Sequence, residues 1–213
     1  MKDIPMFTTD YGVASLMLAE IPYKQVAFVH VQDVQKGRLK EHLEECVGFC
    51  RAAGAERVLA TGHPELESYP VHSVVEEMSL AYEPREPQAM LWPVTEETVA
   101  QWRSQYNKAM TEVDNHTTLT AFHEKAILAS GGAYFVHRNG ELLGLGWVEG
   151  DQLLAVVSLR PGMGETVART LFTAMNTDRI TLEVVASNTR AVALYRRMGF
   201  VKTRELRRWY KIL

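Results

Sequence analysis

Ser187-Asn-Thr-Arg-Ala-Val-Ala-Leu-Tyr-Arg-Arg-Met-Gly-Phe200 is the stretch on which the fold turns. Ala191, Leu194, Tyr195 and Met198 recur at the i, i+3, i+4, i+7 spacing of one helix face. Asn188 is a residue type that caps first turns, and Gly199 supplies the stop. Immediately upstream, residues 180–185 read as a short β-branched strand. Before that strand, Arg160-Pro-Gly-Met-Gly-Glu165 is a glycine-rich turn opening a helix, with Val167, Leu171, Phe172 and Met175 on its apolar face.

Working outward, residues 152–158 and 142–149 read as strands that reverse at Gly150-Asp151. Asn139-Gly140, a pair suited to positive φ, joins the second of these to a strand at 133–137 and is the strongest hairpin signal in the chain. Two helices precede it. One runs around 119–129 and stops at Gly131-Gly132; the other starts at Thr95 and buries Val99, Trp102, Tyr106, Met110 and Val113. The prolines of Tyr82-Glu-Pro-Arg-Glu-Pro-Gln88 break helix and ladder bonding alike and mark a linker, giving an expected division into residues 1–87 and 88–213. In the first part, Gln25-Val-Ala-Phe-Val-His-Val31 is a strand, Leu39, Leu43, Cys46, Val47 and Cys50 form a helical stripe ending near Gly54, and residues 56–60 are a second strand. This strand, helix, strand unit has the spacing of 152–185, which suggests a degenerate internal repeat. The chain closes in two extended segments, 200–206 and 208–213.

The 213 residues are 46% hydrophobic and 23% charged, with a formal charge of −3, so the chain should fold and carries no net field to draw in nucleic acid or an anionic membrane. Residues 1–10 lack a basic segment followed by an apolar run, and no stretch approaches the roughly 18 apolar residues of a membrane span. A cytoplasmic protein is expected, acting as a monomer or homodimer on a small-molecule partner. Cys46 and Cys50 are spaced as buried structural thiols, and the seven histidines form no ligand motif, so no metal site is expected.

The segment quoted first resembles the last block of the GNAT acetyltransferases, NxxAxxLYxxxGF, at every fixed position. The order of elements from Met90 onward is similar too, so the resemblance covers about residues 88–213. It implies an α/β acyl-CoA acyltransferase fold, a mixed, mostly antiparallel twisted sheet flanked by helices, and acetyl-CoA as cosubstrate. In such proteins a [QR]xxGx[GA] loop cradles the CoA pyrophosphate; here Arg160, Gly162, Met163, Gly164 and Glu165 correspond, with both glycines one residue closer to the arginine. Val156, Val157 and Ser158 correspond to the strand edge that pairs with the pantetheine amides, and the N–H of Val157 to a donor for the thioester oxygen. Tyr195 takes the place of the general acid, and Asn188 that of a cofactor contact, although as a residue type it equally suits an N-cap. The base is open among Glu149, Glu183, His123 and Glu124. The implied activity is acetyl transfer to a small-molecule or peptide amine; the alternative is a non-catalytic acyl-CoA-binding or regulatory module. Residues 32–37 contain no glycine loop, so the N-terminal half is not expected to hold cofactor.

Overall fold

The two halves of the sequence fold around separate cores, which a computed structural model describes over residues 5–213. The reading of residues 1–10 falls partly outside the described residues. One compact unit runs to Val74 and takes in Leu206–Leu213; the other is Val75–Glu205. The division therefore falls inside two long strands rather than in the proline linker, because the closing strand returns to pair within the first unit.

In the first unit, β1 (Met6–Thr8), β2 (Gly12–Met17) and β3 (Val26–Val34) form an antiparallel meander, with a one-turn helix α1 (Ile21–Lys24) between the last two. The stripe read from Leu39 to Cys50 becomes α2 (Leu39–Ala52), which leads into β4 (Arg57–Thr61). β3 and β4 are parallel and pair without interruption from Val26↔Arg57 to His30↔Thr61. Leu39, Leu43, Cys46 and Cys50 bury against Ala14, Leu16, Val29, Val31 and Val58. A 3-10 turn (Pro64–Ser68) leads to β5 (Val71–Ala81), whose residues from Val75 onward belong to the second unit. β1, β2 and α1 were not legible in the sequence, being short and without a periodic apolar pattern.

The second unit begins its own meander with β6 (Met90–Pro93), followed by α3 (Val99–Met110) and α4 (Ala121–Ser130). The expected hairpin is β7 (Ala133–Arg138) and β8 (Glu141–Glu149), with Asn139 at φ 54° and Gly140 at φ 80° as a two-residue turn requires. β9 (Gln152–Ser158), α5 (Gly164–Phe172), β10 (Arg179–Val185) and α6 (Thr189–Met198) follow as read. The tail departs from expectation: one strand, β11 (Val201–Lys211), replaces two, since no Gly or Pro interrupts it. Within this unit the strands run β6-β7-β8-β9-β10-β5.

Helices cover this sheet on both faces. Val99, Trp102, Tyr106 and Ile127 of α3 and α4 pack on Phe135, Leu145, Ala155 and Val157. On the other face Val167, Leu171 and Phe172 of α5 and Val192 and Met198 of α6 pack on Leu143, Leu153, Ile180, Leu182 and Val184. Gly144 and Gly146 of β8 let α5 approach closely, because a Cβ at either would collide with Val167 or Leu171. That close seat fixes where the N-terminus of α5 lies.

The two units share a connectivity. In each, an antiparallel meander ends in a strand, helix and parallel strand, and the last strand pairs antiparallel with a strand from the other half of the sequence: β4 with β11 at Tyr210↔Ala60, β10 with β5 from Arg179↔Ala81 to Val185↔Val75. The repeat suspected from spacing is thus present in the topology.

Candidate functional site

The feature that distinguishes the second unit from the first is the relation of its two parallel strands. β9 and β10 pair only at Gln152↔Thr181, with the N–H of Thr181 donating to Asp151 C=O at 2.8 Å. Beyond that point β10 remains fully paired to β5 and β9 to β8, so the strands part and leave a groove between facing edges. The parting begins at a β-bulge: Trp147 opposes Ala155 and Val148 opposes Leu153, leaving Leu154 without an opposite residue. Leu154 is accordingly exposed, although large and apolar.

Ladder phase decides which amides look into the groove. Leu159 N–H donates to Leu143 C=O at 2.9 Å, which makes 159/143 and then 157/145 the hydrogen-bonded pairs. Val157 therefore spends its N–H on β8. The N–H groups of Val156 and Ser158 point the other way, into the groove, and Val157 has no N–H to offer there.

The groove runs toward the start of α5. Arg160-Pro-Gly-Met163 is a tight turn in which Met163 N–H donates to Arg160 C=O at 3.2 Å, with Pro161 at the second position and Gly162 at φ 80° in the third. That arrangement demands glycine at 162. Met163 is the N-cap, and no side chain caps the helix, so the first-turn amides of α5 project from it together with the positive end of its dipole. An anion fits there. Glu165 does not obstruct it, because its carboxylate is drawn to Arg169 one turn on, at 2.8 Å. Arg160 pairs with Glu141 at 2.7 Å on the surface.

Arg138, at the end of β7, also reaches this turn, with its guanidinium 3.5 Å from the Met163 sulfur. Sequence reasoning missed it: the hairpin places residue 138 beside residue 163, and no local pattern marks the meeting.

Tyr195 lies on α6, half-buried, edge-on to Phe200 at 5.6 Å between ring centroids and packed against the same core as Val156 and Met163. Burial pushes its phenol up to about 12. Asn188 is the N-cap of α6, accepting from Ala191 N–H at 3.1 Å. Of the candidate bases, His123 is engaged in a capping box with Thr120, and Glu124 pairs with Arg103 at 2.8 Å. Glu149 ends β8 at the tight reversal to Gln152. Glu183 alone is carried on a groove strand. Among the described residues no group of His, Cys, Asp and Glu could hold a metal ion, and no helix is long and apolar enough to cross a membrane.

No protein-family model and no curated protein matches the sequence. Solved structures do. A GCN5-related N-acetyltransferase from Kribbella flavida superposes with a TM-score of 0.59 at 13% identity, covering 98% of this chain and 90% of its own. A GCN5-related N-acetyltransferase from Sphaerobacter thermophilus gives 0.56 at 14%, covering 93% and 75%. The chain has the GNAT fold. A functionally unknown conserved protein from Staphylococcus epidermidis is also similar, at 0.62 and 11% identity, covering 98% and 93%. These likenesses span both units of this chain, beyond the segment 88–213 where sequence resemblance was legible.

Read as a GNAT fold, the first unit is the half without a groove. Its parallel strands β3 and β4 pair continuously over the stretch where β9 and β10 separate, and the turn before α2 has no glycine pair.

Proposed function

We propose that the chain is an acetyl-CoA-dependent N-acetyltransferase whose cofactor groove lies between β9 and β10. The observation that carries this reading is the parting of those strands after a single pair, which exposes the Val156 and Ser158 amides in line with the uncapped start of α5. Pantetheine carries two amides spaced for strand-like pairing, and diphosphate is an anion suited to helix amides. Val156 C=O and Ser158 N–H hold the first; Gly162, Met163, Gly164 and the backbone of Glu165 hold the second, with Arg160 and Arg138 as flanking cations. The two arginines offset the shortened loop and the N–H that Pro161 lacks.

In the reaction a neutral amine attacks the acetyl carbonyl, a C–N bond forms, and the C–S bond breaks. Val156 N–H stabilises the oxygen as it gains charge. Glu183, exposed on β10, takes the proton lost by the amine, directly or through water. Tyr195 serves the departing sulfur, and its raised value defines how. Complete transfer from a phenol pushed up by burial to a thiolate whose ordinary value is ~8.5 runs uphill. Tyr195 therefore acts chiefly as a hydrogen-bond donor that stabilises sulfur, with solvent completing the protonation.

Thermal shift with acetyl-CoA, CoA and ADP tests cofactor choice, and thiol release from acetyl-CoA in the presence of ethanolamine, spermidine and a lysine-containing peptide tests catalysis. Stabilisation by the CoA compounds but not ADP, with amine-dependent thiol release, is expected. Stabilisation without release favours a non-catalytic acyl-CoA-binding module, and a flat response contradicts both.

A further inference from the structure

The segment between α3 and α4, residues 111–120, does more than connect two helices. Its foot is fixed: Leu119 is buried, and the Asn107 side chain clamps its backbone twice, donating to C=O at 2.7 Å and accepting from N–H at 2.9 Å. Leu119 belongs to the buried cluster that α3 and α4 form with β7, β8 and β9, which places the foot on the α3/α4 face of the sheet. The middle of the segment reaches elsewhere. Asp114 accepts a hydrogen bond from the Ser187 hydroxyl at 3.1 Å, and Ser187 lies just beyond the end of β10. A segment rooted on the α3/α4 face at one point and bonded past the end of β10 at another runs along that face toward the end where β9 and β10 have parted.

Side-chain alternation gives the side of the sheet it crosses. Ile180, Leu182 and Val184 point to α5 and α6, so Thr181, Glu183 and Val185 face the opposite side, the one carrying α3 and α4. Tyr195 belongs to the α5/α6 side and Glu183 to the strap's side. An acceptor that delivers its proton to Glu183 approaches beneath the strap.

We infer that residues 111–120 form a strap latched by the Asp114–Ser187 bond across the acceptor side of the groove, restricting the acceptor to small amines. The inference rests on the acetyltransferase reading and adds its substrate class. A latched crossing leaves room for a compact amine but hinders a peptide, which needs chain on both sides of its reacting nitrogen.

The test compares ethanolamine with a lysine-containing peptide as acceptor in three proteins: wild type, Ser187→Ala, and Asp114→Cys/Ser187→Cys. Native Cys46 and Cys50 are buried, so mild oxidation joins the introduced pair. Ser187→Ala should raise kcat/KM for the peptide by about tenfold while leaving that for ethanolamine within about twofold. The oxidised double variant should lose peptide transfer and keep ethanolamine transfer, with reduction restoring the peptide rate. Equal responses of the two acceptors, or none, while acetyl-CoA still stabilises every variant, would overturn the latch alone. A wild type that binds acetyl-CoA but acetylates nothing overturns the catalytic reading and the latch with it.

Discussion

Tyr195 and Asn188 came from the same sequence motif and met different fates. Asn188 is occupied as the cap of α6, bonded to Ala191 N–H, so its side chain already has a structural partner. Tyr195 is held by Phe200 and the surrounding core with its phenol kept protonated. Replacing Tyr195 by Phe preserves that packing and removes only the hydroxyl; kcat should fall by about 100-fold while acetyl-CoA affinity changes little. In the wild type, kcat should show no alkaline limb from Tyr195 below about pH 10, because burial moves its loss of proton upward. A Phe variant with full turnover would remove Tyr195 from the reaction. Motif-borne side chains were legible because helix spacing and the LYxxxGF context are local. Which amide faces the groove was not: Val156 and Val157 are the same residue type, and only the phase of the β8/β9 ladder separates them.

The β9, α5, β10 segment joins a bulged strand, a type II turn at 160–163 and an uncapped helix, and each supplies one part of the proposed cofactor site. The sequence announced the strands, the turn and the helix, whereas the parting of β9 from β10 depends on their partners β8 and β5, the latter some hundred residues away in the chain. Proline substitution separates the two edges of β9. Val156→Pro removes an N–H that looks into the groove and costs no ladder bond, so the variant should fold yet lose most CoA-dependent thermal stabilisation and nearly all turnover. Undiminished CoA stabilisation in a folded Val156→Pro protein would show that the strand edge does not receive the ligand. The proline linker at 82–88 illustrates the converse limit: it breaks secondary structure as read, but the compact units divide within β5 and β11 instead.

Across the whole molecule, one topology is used twice, with continuous pairing of β3 to β4 in one unit and an open groove in the other. The grooveless unit has a pH-sensitive core. His42 is fully buried, with Nδ1 at 2.8 Å from the Thr9 hydroxyl and Nε2 facing Cys46, and burial holds its imidazole below the ordinary value despite Glu45 nearby. Above about pH 6.5 both folded and unfolded chains keep it neutral; below that the unfolded chain takes a proton the folded chain resists, and stability declines until the pH passes the folded value. This one group can contribute a slope of at most about 1.4 kcal/mol per pH unit. Urea titrations from pH 7.5 to 5 should show a smaller loss for His42→Gln than for wild type, and identical slopes would exclude His42 as the cause. The central claim concerns the other unit and is tested most directly by a structure of the chain with CoA bound. The account predicts pantetheine lying along β9 with its amides bonded at Val156 and Ser158 and its diphosphate on the first-turn amides of α5; CoA seated in the first unit, or β9 and β10 closed upon each other with the ligand outside, would contradict it.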